Sequence, residues 1–473
     1  MKSYDLIPNY NNIKTSLINN NLERNKFLFR FLSLLQNIED MNCSIALDAQ
    51  WGAGKTFFVK QTKLVLDAIN PYIQTEHLSE DMKEDFSKIK KLSETYGIQN
   101  NPQLCVYYNA WENDNFEDPI LSIIYSISQN ISTDIQITEG KRDIGEIVKS
   151  IIKLVNFQVS VPIDASNQTS ATFGIDGQKI TDVIDAFKKK KEFGHIENEL
   201  TLRNEINEFL NSLLTEKANR LVIFIDELDR CKPLFAVSLL ERIKHYFDNP
   251  NITFVFSTNL SELQNTIRNL YGDQFSASRY LDKFFDISLQ LPPISTEEYF
   301  KFLGLNTDSF LQTIKINIAE LCNLGLREIN RFLKISNIAN KMLRKGHQPF
   351  FSNENYYRLI IDCITPMLIA LKMTNQKDYE DFISGEKQDF FISVFKDDYL
   401  ASSFLDKWGM TKTSPTDLRT NDKKFAEVYK AIFVDAGKYH QKKQIGNLQI
   451  PENSLNEILE LTSLLSEFSG YDD

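Results

Sequence analysis

The chain has 473 residues, of which 42% are hydrophobic and 25% are charged. This composition is typical of a folded globular protein and excludes a disordered one, and the length predicts two or three domains. The net charge of −11 argues against a broad nucleic-acid-binding surface. No apolar run approaches the roughly 18 residues that span a bilayer, and the five cysteines form no CxxC pair. We therefore expect a cytoplasmic protein without a signal peptide or a membrane span.

A helical lead-in is predicted before the first motif. Within residues 1–42, apolar side chains recur at helical spacing in the stretch 28–38. The following residues, 43–48, are predicted to form a short buried strand. We expect the lead-in helix to pack against this strand.

The eight residues 49–56, Ala-Gln-Trp-Gly-Ala-Gly-Lys-Thr, join that strand to a helix predicted over 55–69. A strand, a glycine-bearing loop, Gly-Lys-Thr and a helix form the P-loop, whose backbone N–H groups curl around phosphate oxygens. Gly52 and Gly54 permit the positive φ that this path requires. The predicted nucleotide-binding residues are Gln50, Trp51, Gly52, Ala53, Gly54, Lys55, Thr56 and Phe57.

Two side chains of the loop are assigned a chemical role. Lys55 is predicted to reach the β- and γ-phosphate oxygens as a point charge, and Thr56 to ligate Mg²⁺ through its hydroxyl group. Ala49 stands where the usual pattern has its first glycine, a position that serves the turn out of the strand. The alternative is an ordinary strand-to-helix turn that carries a lysine.

A second predicted strand, 104–109, ends in a polar and aromatic cluster, and Pro119 then opens an apolar helix. Ligands bind at the carboxyl ends of strands in doubly wound sheets. Asn109 or Glu112 is therefore predicted to contact the attacking water or a group around the magnesium ion. The alternative is that Asn109 caps the helix and Trp111 packs it onto the sheet.

Two polar stretches separate these motifs. Residues 77–96 are rich in lysine and glutamate and predict an exposed helical connector, while 132–200 are predicted to be an insertion. The insertion contains the basic run Lys188-Lys-Lys-Lys191. This run favours a solvated helix face over a contact with nucleic acid or lipid.

A third predicted strand, 220–226, is apolar and ends in two acids about 170 residues after the P-loop. Asp226 is predicted to hold the magnesium ion, commonly through water. Glu227 is predicted to be the base for the water that attacks the γ-phosphate. Asp229 and Arg230 are predicted to form a local ion pair or to reach an adjoining surface.

Polar residues near the last two strands, predicted over 251–259 and 286–292, extend the site. Asn259 is predicted to sense the γ-phosphate or to orient water. Arg279 is predicted to reach into a neighbouring subunit's site and to stabilise transition-state charge. The alternative for Arg279 is a surface salt bridge, for example with Asp282.

The remaining residues are predicted to be mostly helical. In residues 293–345, expected to form a helical lid, Arg327 and Arg331 lie on one helix face. Arg327 is predicted to lie over the nucleotide. Residues 346–473 are predicted to form a helical domain with loops near 408–421 and 437–451, and their sequence does not reveal a role.

Together these motifs resemble the KAP family of P-loop NTPases over roughly residues 25–345. The resemblance implies ATP and Mg²⁺, an additional-strand sheet of order 5-1-4-3-2 and a helical lid. Ala49 and Glu227 depart from the family's usual glycine and aspartate. The motifs that carry the resemblance are Gln-Trp-Gly-Ala-Gly-Lys-Thr at 50–56, Asn-Ala-Trp at 109–111, Phe-Ile-Asp-Glu-Leu-Asp-Arg-Cys-Lys-Pro at 224–233, Tyr-Leu-Asp-Lys-Phe at 280–284 and Leu-Arg-Glu-Ile-Asn-Arg-Phe at 326–332.

The predicted fold is α/β, a P-loop NTPase with a five-stranded parallel sheet, a helical lid and a mostly helical C-terminal domain. The predicted domains are a lead-in at 1–42, a core at 43–292, a lid at 293–345 and a C-terminal domain at 346–473.

The predicted function is Mg²⁺-dependent binding and hydrolysis of ATP. Bacterial members of the family resemble components of anti-phage defence, which implies partner proteins of the same system and self-assembly. Two alternatives stay open: a nucleotide-gated oligomeric scaffold with little turnover, and a DNA-stimulated ATPase partner of a nuclease, which the acidic charge opposes. A GTPase is less favoured, because no Asn-Lys-x-Asp motif follows a strand.

Overall fold

The computed structural model describes most of the chain, with gaps. The described residues are 7–38, 41–73, 78–99, 101–116, 118–132, 150–151, 194–214, 218–247, 249–307, 309–346, 354–410, 418–435, 443–451, 456 and 459–460. The predicted insertion at 132–200 and its basic run Lys188-Lys-Lys-Lys191 therefore lie largely outside the described residues. Within these ranges, no helix combines the length and the apolar character needed to cross a membrane.

Five parallel strands form the central sheet in the spatial order β2-β3-β4-β1-β5. Seen from the opposite edge, this is the order 5-1-4-3-2 that the family resemblance implied, so the predicted five-stranded parallel sheet is confirmed. The strands are β1 (Cys43–Asp48), β2 (Gln103–Asn109), β3 (Arg220–Asp226), β4 (Ile252–Thr258) and β5 (Ile287–Gln290).

The register aligns the carboxyl ends of the central strands. Asn109 pairs with Asp226, which in turn pairs with Ser257, and Asp48 pairs with Thr258. Both β3 and β4 are buried along their whole length, as expected for parallel strands covered on both faces. Because the chain leaves each strand at the same edge, the P-loop and the acids after β3 lie beside one another.

Helices cover both faces of the sheet and continue into the predicted lid. They are α1 (Tyr10–Asn19), α2 (Asn25–Gln36), α3 (Lys55–Ile69), α4 (Glu80–Thr95), α5 (Pro119–Ser132), α6 (Gly194–Leu214), α7 (Pro233–Tyr246), α8 (Leu260–Tyr271), α9 (Ala277–Leu281), α10 (Thr296–Phe302), α11 (Phe310–Leu321) and α12 (Leu326–Gly346).

Side chains of the strands alternate between two hydrophobic cores, one on each face of the sheet. On one face, Leu221 and Ile223 pack with residues of α5, α6 and α7. On the other face, Val222 and Phe224 belong to a core that includes α2, α3 and α12 and continues through the C-terminal helices to Ile450. The lead-in, the lid and the C-terminal helices thus share one core with the P-loop face.

The connector predicted for 77–96 is helical, as expected, and most of its residues are not buried, but one face of this helix, α4, packs against α3. Ile89 is buried, and Asp85 accepts hydrogen bonds from Lys14 Nζ at 2.5 Å and from the Tyr10 hydroxyl at 3.2 Å. The lysines and glutamates of this helix conceal a narrow apolar stripe, which is sufficient to bury one face. The same contacts fasten α1 to α4.

The C-terminal region is mostly helical, as predicted, but it contains a hairpin where a loop was expected at 437–451. Gly446, at φ +55°, makes the tight turn, and Leu448 and Ile450 are buried. Its elements are α13 (Glu354–Leu359), a π-helical turn (Ile360–Ile364), α14 (Thr365–Thr374), α15 (Gln376–Ile383), α16 (Gln388–Val394), α17 (Asp398–Lys407), α18 (Leu418–Lys430), a second π-helical turn (Ala431–Asp435), β6 (Lys443–Ile445) and β7 (Leu448–Ile450).

Candidate functional site

A cavity of about 370 Å³ lies at the carboxyl edge of the sheet. The P-loop, the end of β3, the lid helix α12, helix α10 and the segment before α1 surround it. The lining residues are Ile7, Pro8, Gln50, Gly52, Gly54, Lys55, Thr56, Phe57, Asp226, Glu227, Asp229, Arg230, Tyr299, Leu326, Arg327 and Asn330.

The loop backbone has the conformation that its glycines permit. Gly52 and Gly54 lie at φ +78° and +84°, in the left-handed region that side chains with a Cβ rarely adopt. Ala49, by contrast, is not among the described residues with positive φ, and its N–H donates to the Thr258 carbonyl at 3.3 Å. It therefore extends the strand pairing by one residue, which explains why a methyl group is tolerated where the usual pattern has glycine.

Lys55 is buried at the first turn of α3 and curls back onto its own loop. Its Nζ donates to the carbonyl oxygens of Ala49 at 2.7 Å and Gln50 at 3.3 Å. Burial lowers the pKa of the Lys55 ammonium, and the nearby carboxylates of Asp229 and Asp226 oppose that shift. The Lys55 ammonium group is thus held beside the loop by two neutral carbonyl oxygens, which the oxygens of a phosphate group can replace as acceptors.

The Asp226 carboxylate, at the end of β3, accepts hydrogen bonds from two hydroxyl groups. The Thr56 hydroxyl donates to its Oδ2 at 2.6 Å, and the Tyr107 hydroxyl donates to the same atom at 3.0 Å. Burial and the Asp226 charge raise the pKa of Tyr107, so this residue remains a proton donor. A hydroxyl and a carboxylate oxygen are hard ligands of the kind that Mg²⁺ prefers, and the donor set of Thr56 and Asp226 therefore fits that ion.

Glu227 follows in a left-handed conformation, at φ +61°, which is uncommon for a residue with a side chain. Its Oε1 lies 2.7 Å from the Arg230 guanidinium, and the Asn109 side chain also hydrogen-bonds with it. Burial raises the pKa of the Glu227 carboxyl, and the Arg230 charge opposes that shift. The carboxylate is therefore held in place by a cation and an amide.

The predicted ion pair between Asp229 and Arg230 is wrong. Asp229 instead accepts hydrogen bonds from Trp51 Nε1 of the P-loop and from the Thr258 hydroxyl, the latter at 3.1 Å. The Leu228–Arg230 turn is a 3₁₀ helix, whose three-residue period brings Arg230 back over Glu227. Asp229 therefore points toward the P-loop, and its two hydrogen bonds connect Trp51 of that loop to Thr258 at the end of β4.

Arg327 of the lid reaches the P-loop through the space beside Gly52. The Arg327 Cβ lies 3.2 Å from the position that a Cβ on Gly52 would take. The side chain is exposed, lines the cavity and makes no ion pair with a described residue. Arg331, one turn farther along α12, does not line the cavity.

Two residues predicted for the site are not brought to the cavity within this chain. The Asn259 side chain caps α8, accepting from the backbone N–H groups of Ser261 at 3.1 Å and Glu262 at 3.4 Å. Arg279 is exposed on α9 and has no ion-pair partner among the described residues, Asp282 included. Its role toward a neighbouring subunit stays a prediction, as does the role of Asn259.

In the polar and aromatic cluster after β2, Asn109 caps the turn that follows and Trp111 contacts Arg230. The Asn109 side-chain oxygen Oδ1 accepts from the backbone N–H groups of Trp111 at 3.1 Å and Glu112 at 3.4 Å. Trp111 is 49% exposed, and its ring lies 5.5 Å from the Arg230 guanidinium carbon. The tryptophan therefore stacks with the cation that holds Glu227 and leaves much of its surface in solvent.

Arg24, which sequence reasoning missed, is buried under the P-loop. It donates to the carbonyl oxygens of Ala53 at 2.9 Å and of Pro292, and burial lowers its pKa to about 10. These bonds connect the start of α2, the loop and the end of the sheet. No sequence signal marks the residue, because its partners are backbone carbonyls far away along the chain.

Comparison with known proteins identifies the family. The model of the KAP family P-loop domain matches residues 24–384, beyond the 25–345 that the motifs cover. An uncharacterized protein of Methanocaldococcus jannaschii is 28% identical over 170 residues, covering 32% of this chain and 87% of that protein. The solved ORC2 protein of Aeropyrum pernix, in its ADPNP-ADP complexes, is similar with 13% identity and a TM-score of 0.29, covering 97% of this chain and 94% of that chain. A TM-score of this size carries no information on function. Because the family model spans most of the sequence, the chain belongs to the KAP family of P-loop NTPases.

Proposed function

We propose that this chain binds ATP with Mg²⁺ and hydrolyses it, as the energy-using or switching component of a multi-protein bacterial defence system. One observation carries the enzymatic part of the proposal. Lys55, the Thr56–Asp226 pair, Glu227 and Arg327 converge on one cavity from three separate segments of the chain. These are the groups that phosphoryl transfer to water requires.

Each group has a distinct role in this proposal. Lys55 exchanges its two carbonyl acceptors for phosphate oxygens, and the glycine-bearing backbone surrounds the phosphates. Thr56 and Asp226 hold Mg²⁺, which neutralises charge on the phosphates when bound. Glu227 accepts a proton from the attacking water, and Arg327 offers positive charge from the lid side.

The first test is ATP hydrolysis by the purified full chain, with Lys55→Ala as the blank. We expect turnover that the Lys55 variant loses. The Glu227→Gln variant should bind ATP as the wild type does and hydrolyse it at least about a hundredfold more slowly, because a general base contributes about 10²–10⁴ in rate. Full hydrolysis by Glu227→Gln would falsify the assignment of the base.

A nucleotide-gated scaffold with little turnover is the second candidate, and the Glu227–Arg230 ion pair at 2.7 Å favours it. A carboxylate held by a cation is a weaker base, so basal turnover is expected to be low until Arg230 moves. Trp111, which lies against Arg230, and Trp51, which is bonded to Asp229, are each 49% exposed and offer apolar surface to a partner or a second copy. Light scattering distinguishes the candidates: an unchanged mass on adding a non-hydrolysable ATP analogue contradicts the scaffold.

The defence role is supported by the family resemblance alone. It predicts that the proteins encoded beside this one act with it. A phage challenge of cells carrying the whole gene cluster, with wild-type protein or Lys55→Ala, tests this role. Equal plaque counts in the two strains contradict it.

A further inference from the structure

Tyr107 contacts the site from outside the cavity lining. It lies on β2, two residues before that strand ends, and its hydroxyl group donates to Asp226 Oδ2 at 3.0 Å. The register pairs Tyr107 with Phe224 of β3. Phe224 and Asp226 are two residues apart on that strand and therefore share one face of the sheet. The Tyr107 side chain extends along this face to Asp226, so the contact follows from the strand register.

The packing of the Tyr107 ring does not require its hydroxyl group. The ring packs against the core that contains Phe224 and residues of α3. The Lys60 ammonium nitrogen, also on α3, lies 4.9 Å from the ring centroid. A phenylalanine would fill the same space and keep these contacts. What a tyrosine adds at this position is therefore the hydrogen bond to Asp226.

The hydrogen bonds of Asp226 fix the orientation of its carboxylate. Each carboxylate oxygen offers about two lone pairs, and at Oδ2 both are used, by the Thr56 hydroxyl at 2.6 Å and the Tyr107 hydroxyl at 3.0 Å. Oδ1 accepts from the Glu227 N–H at 3.1 Å. The side-chain torsion of the carboxyl group is broad by itself. Because Asp226 is 0% exposed, these protein donors, and not bulk water, set that torsion.

The orientation of Asp226 in turn determines the direction of the Thr56 hydroxyl group. A threonine hydroxyl has one proton and two lone pairs. Since its proton is donated to Asp226, the lone pairs of the Thr56 oxygen are directed away from that carboxylate. Thr56 is partly exposed and lines the cavity. The oxygen that it offers to a cation there is thus aimed by Asp226.

We propose that Tyr107 is a positioning residue for the magnesium ion, because its hydroxyl group holds the Asp226 carboxylate that aims the Thr56 oxygen. This inference rests on the proposed function, in which Thr56 and Asp226 hold Mg²⁺. Groups that hydrogen-bond to metal-binding side chains and orient them contribute about 10–100-fold to metal affinity. Tyr107 therefore controls how much Mg²⁺ strengthens nucleotide binding, whereas Lys55 acts on the phosphates directly.

The test measures binding of a non-hydrolysable ATP analogue to the full chain, once with Mg²⁺ and once with EDTA. The ratio of the two dissociation constants reports, by linkage, how strongly the metal and the nucleotide favour each other on the protein. In Tyr107→Phe we expect this ratio to fall about tenfold, while the affinity in EDTA stays at the wild-type value.

The matched control is Tyr108→Phe, the same substitution at the next residue. The Tyr108 hydroxyl group is hydrogen-bonded with the Ser122 hydroxyl group at 2.9 Å, and the ring belongs to the core on the other face of the sheet. Both variants lose one hydrogen bond and keep the ring, so both should fold and melt at similar temperatures. Tyr108→Phe should leave the ratio unchanged.

A ratio in Tyr107→Phe equal to that of the wild type overturns the inference. Equal losses in the two variants, or a loss of affinity in EDTA as well, also overturn it, because the hydroxyl group then acts through the fold. The proposed function fails separately, in the wild type alone. If the wild type binds the analogue equally with Mg²⁺ and with EDTA, or does not bind it, the assignment of Thr56 and Asp226 to the metal fails together with the role of Tyr107.

Discussion

The sheet side and the lid side of the cavity differ in how their polar groups are satisfied. On the sheet side, Asp226 accepts two hydroxyl hydrogen bonds and Glu227 is paired with Arg230. On the lid side, Arg327 makes no ion pair with a described residue and the Asn330 oxygen has no hydrogen-bond partner. The carboxylates of the sheet side are thus held in place by their neighbours, whereas the exposed Arg327 side chain on the lid side is accessible to a ligand.

This difference predicts which property of the protein a substitution on each side should alter. Variants of the sheet side disturb groups that position one another, so they are expected to affect turnover and the pH dependence of turnover. Variants of the lid side remove contacts to the ligand, so they are expected to affect nucleotide affinity. The lid belongs to the same hydrophobic core as the C-terminal helices. A ligand that draws Arg327 toward the P-loop therefore acts directly on that core.

The largest expected effect is the loss of Lys55. Lys55→Ala removes the charged donor at the mouth of the P-loop, and we expect nucleotide affinity to fall about a hundredfold or more. Isothermal titration with a non-hydrolysable ATP analogue measures this. The matched control is Lys63→Ala on the same helix, which removes a lysine that pairs with Asp67 at 2.6 Å and lies outside the cavity lining. Unaltered affinity in Lys55→Ala would contradict the assignment of the phosphate site.

Arg327→Ala tests the lid side. Because Arg327 faces the P-loop across Gly52, we expect ATP affinity to fall about tenfold and ADP affinity to change little. Arg331→Ala, one turn away on the same helix and outside the cavity lining, serves as the control. Equal loss in the two variants would mean that the lid arginines act through folding, which thermal melting would reveal.

The pH dependence of turnover tests the sheet side. Burial raises the pKa of Glu227, so its basic form is lost at a higher pH than for an ordinary glutamate as the solution is acidified. The rate should therefore begin to fall above the usual carboxyl range. Arg230 lowers that pKa, so Arg230→Gln should move the acid limb of the pH–rate profile to higher pH. An acid limb that does not move, or moves to lower pH, contradicts the ion pair as the controlling contact.

The smallest effects are expected from exchanging glycine and alanine at two positions of the P-loop, Gly52 and Ala49. Gly52→Ala places a Cβ at φ +78° and 3.2 Å from the Arg327 Cβ, and should cost about 1–2 kcal/mol in unfolding free energy and weaken ATP binding. Ala49→Gly should cost less than about 1 kcal/mol and leave ATP binding unchanged, because Ala49 does not need positive φ. Denaturant unfolding and ATP titration of both variants compare them.

Much of the site follows from local sequence. Lys55 and Thr56 stand side by side after the glycines, and Asp226 and Glu227 end one apolar run, so consecutive residues encode their positions. The ion pair between Arg230 and Glu227 could also have been predicted from the sequence, because the two residues are three apart and a 3₁₀ turn brings such residues together. The ion pair with Asp229 was the wrong choice among local options.

The parallel sheet, the P-loop and the acids after β3 could be predicted from the sequence, because periodicity and motif chemistry act over a few neighbouring residues. Other contacts became visible only in the folded chain: Tyr107 bonds to Asp226, Arg24 bonds to the P-loop, and Asn330 lines the same cavity as Ile7. These contacts join segments as far apart as 323 positions in the chain. Strand order and helix docking determine such contacts, and no local pattern of residues records them.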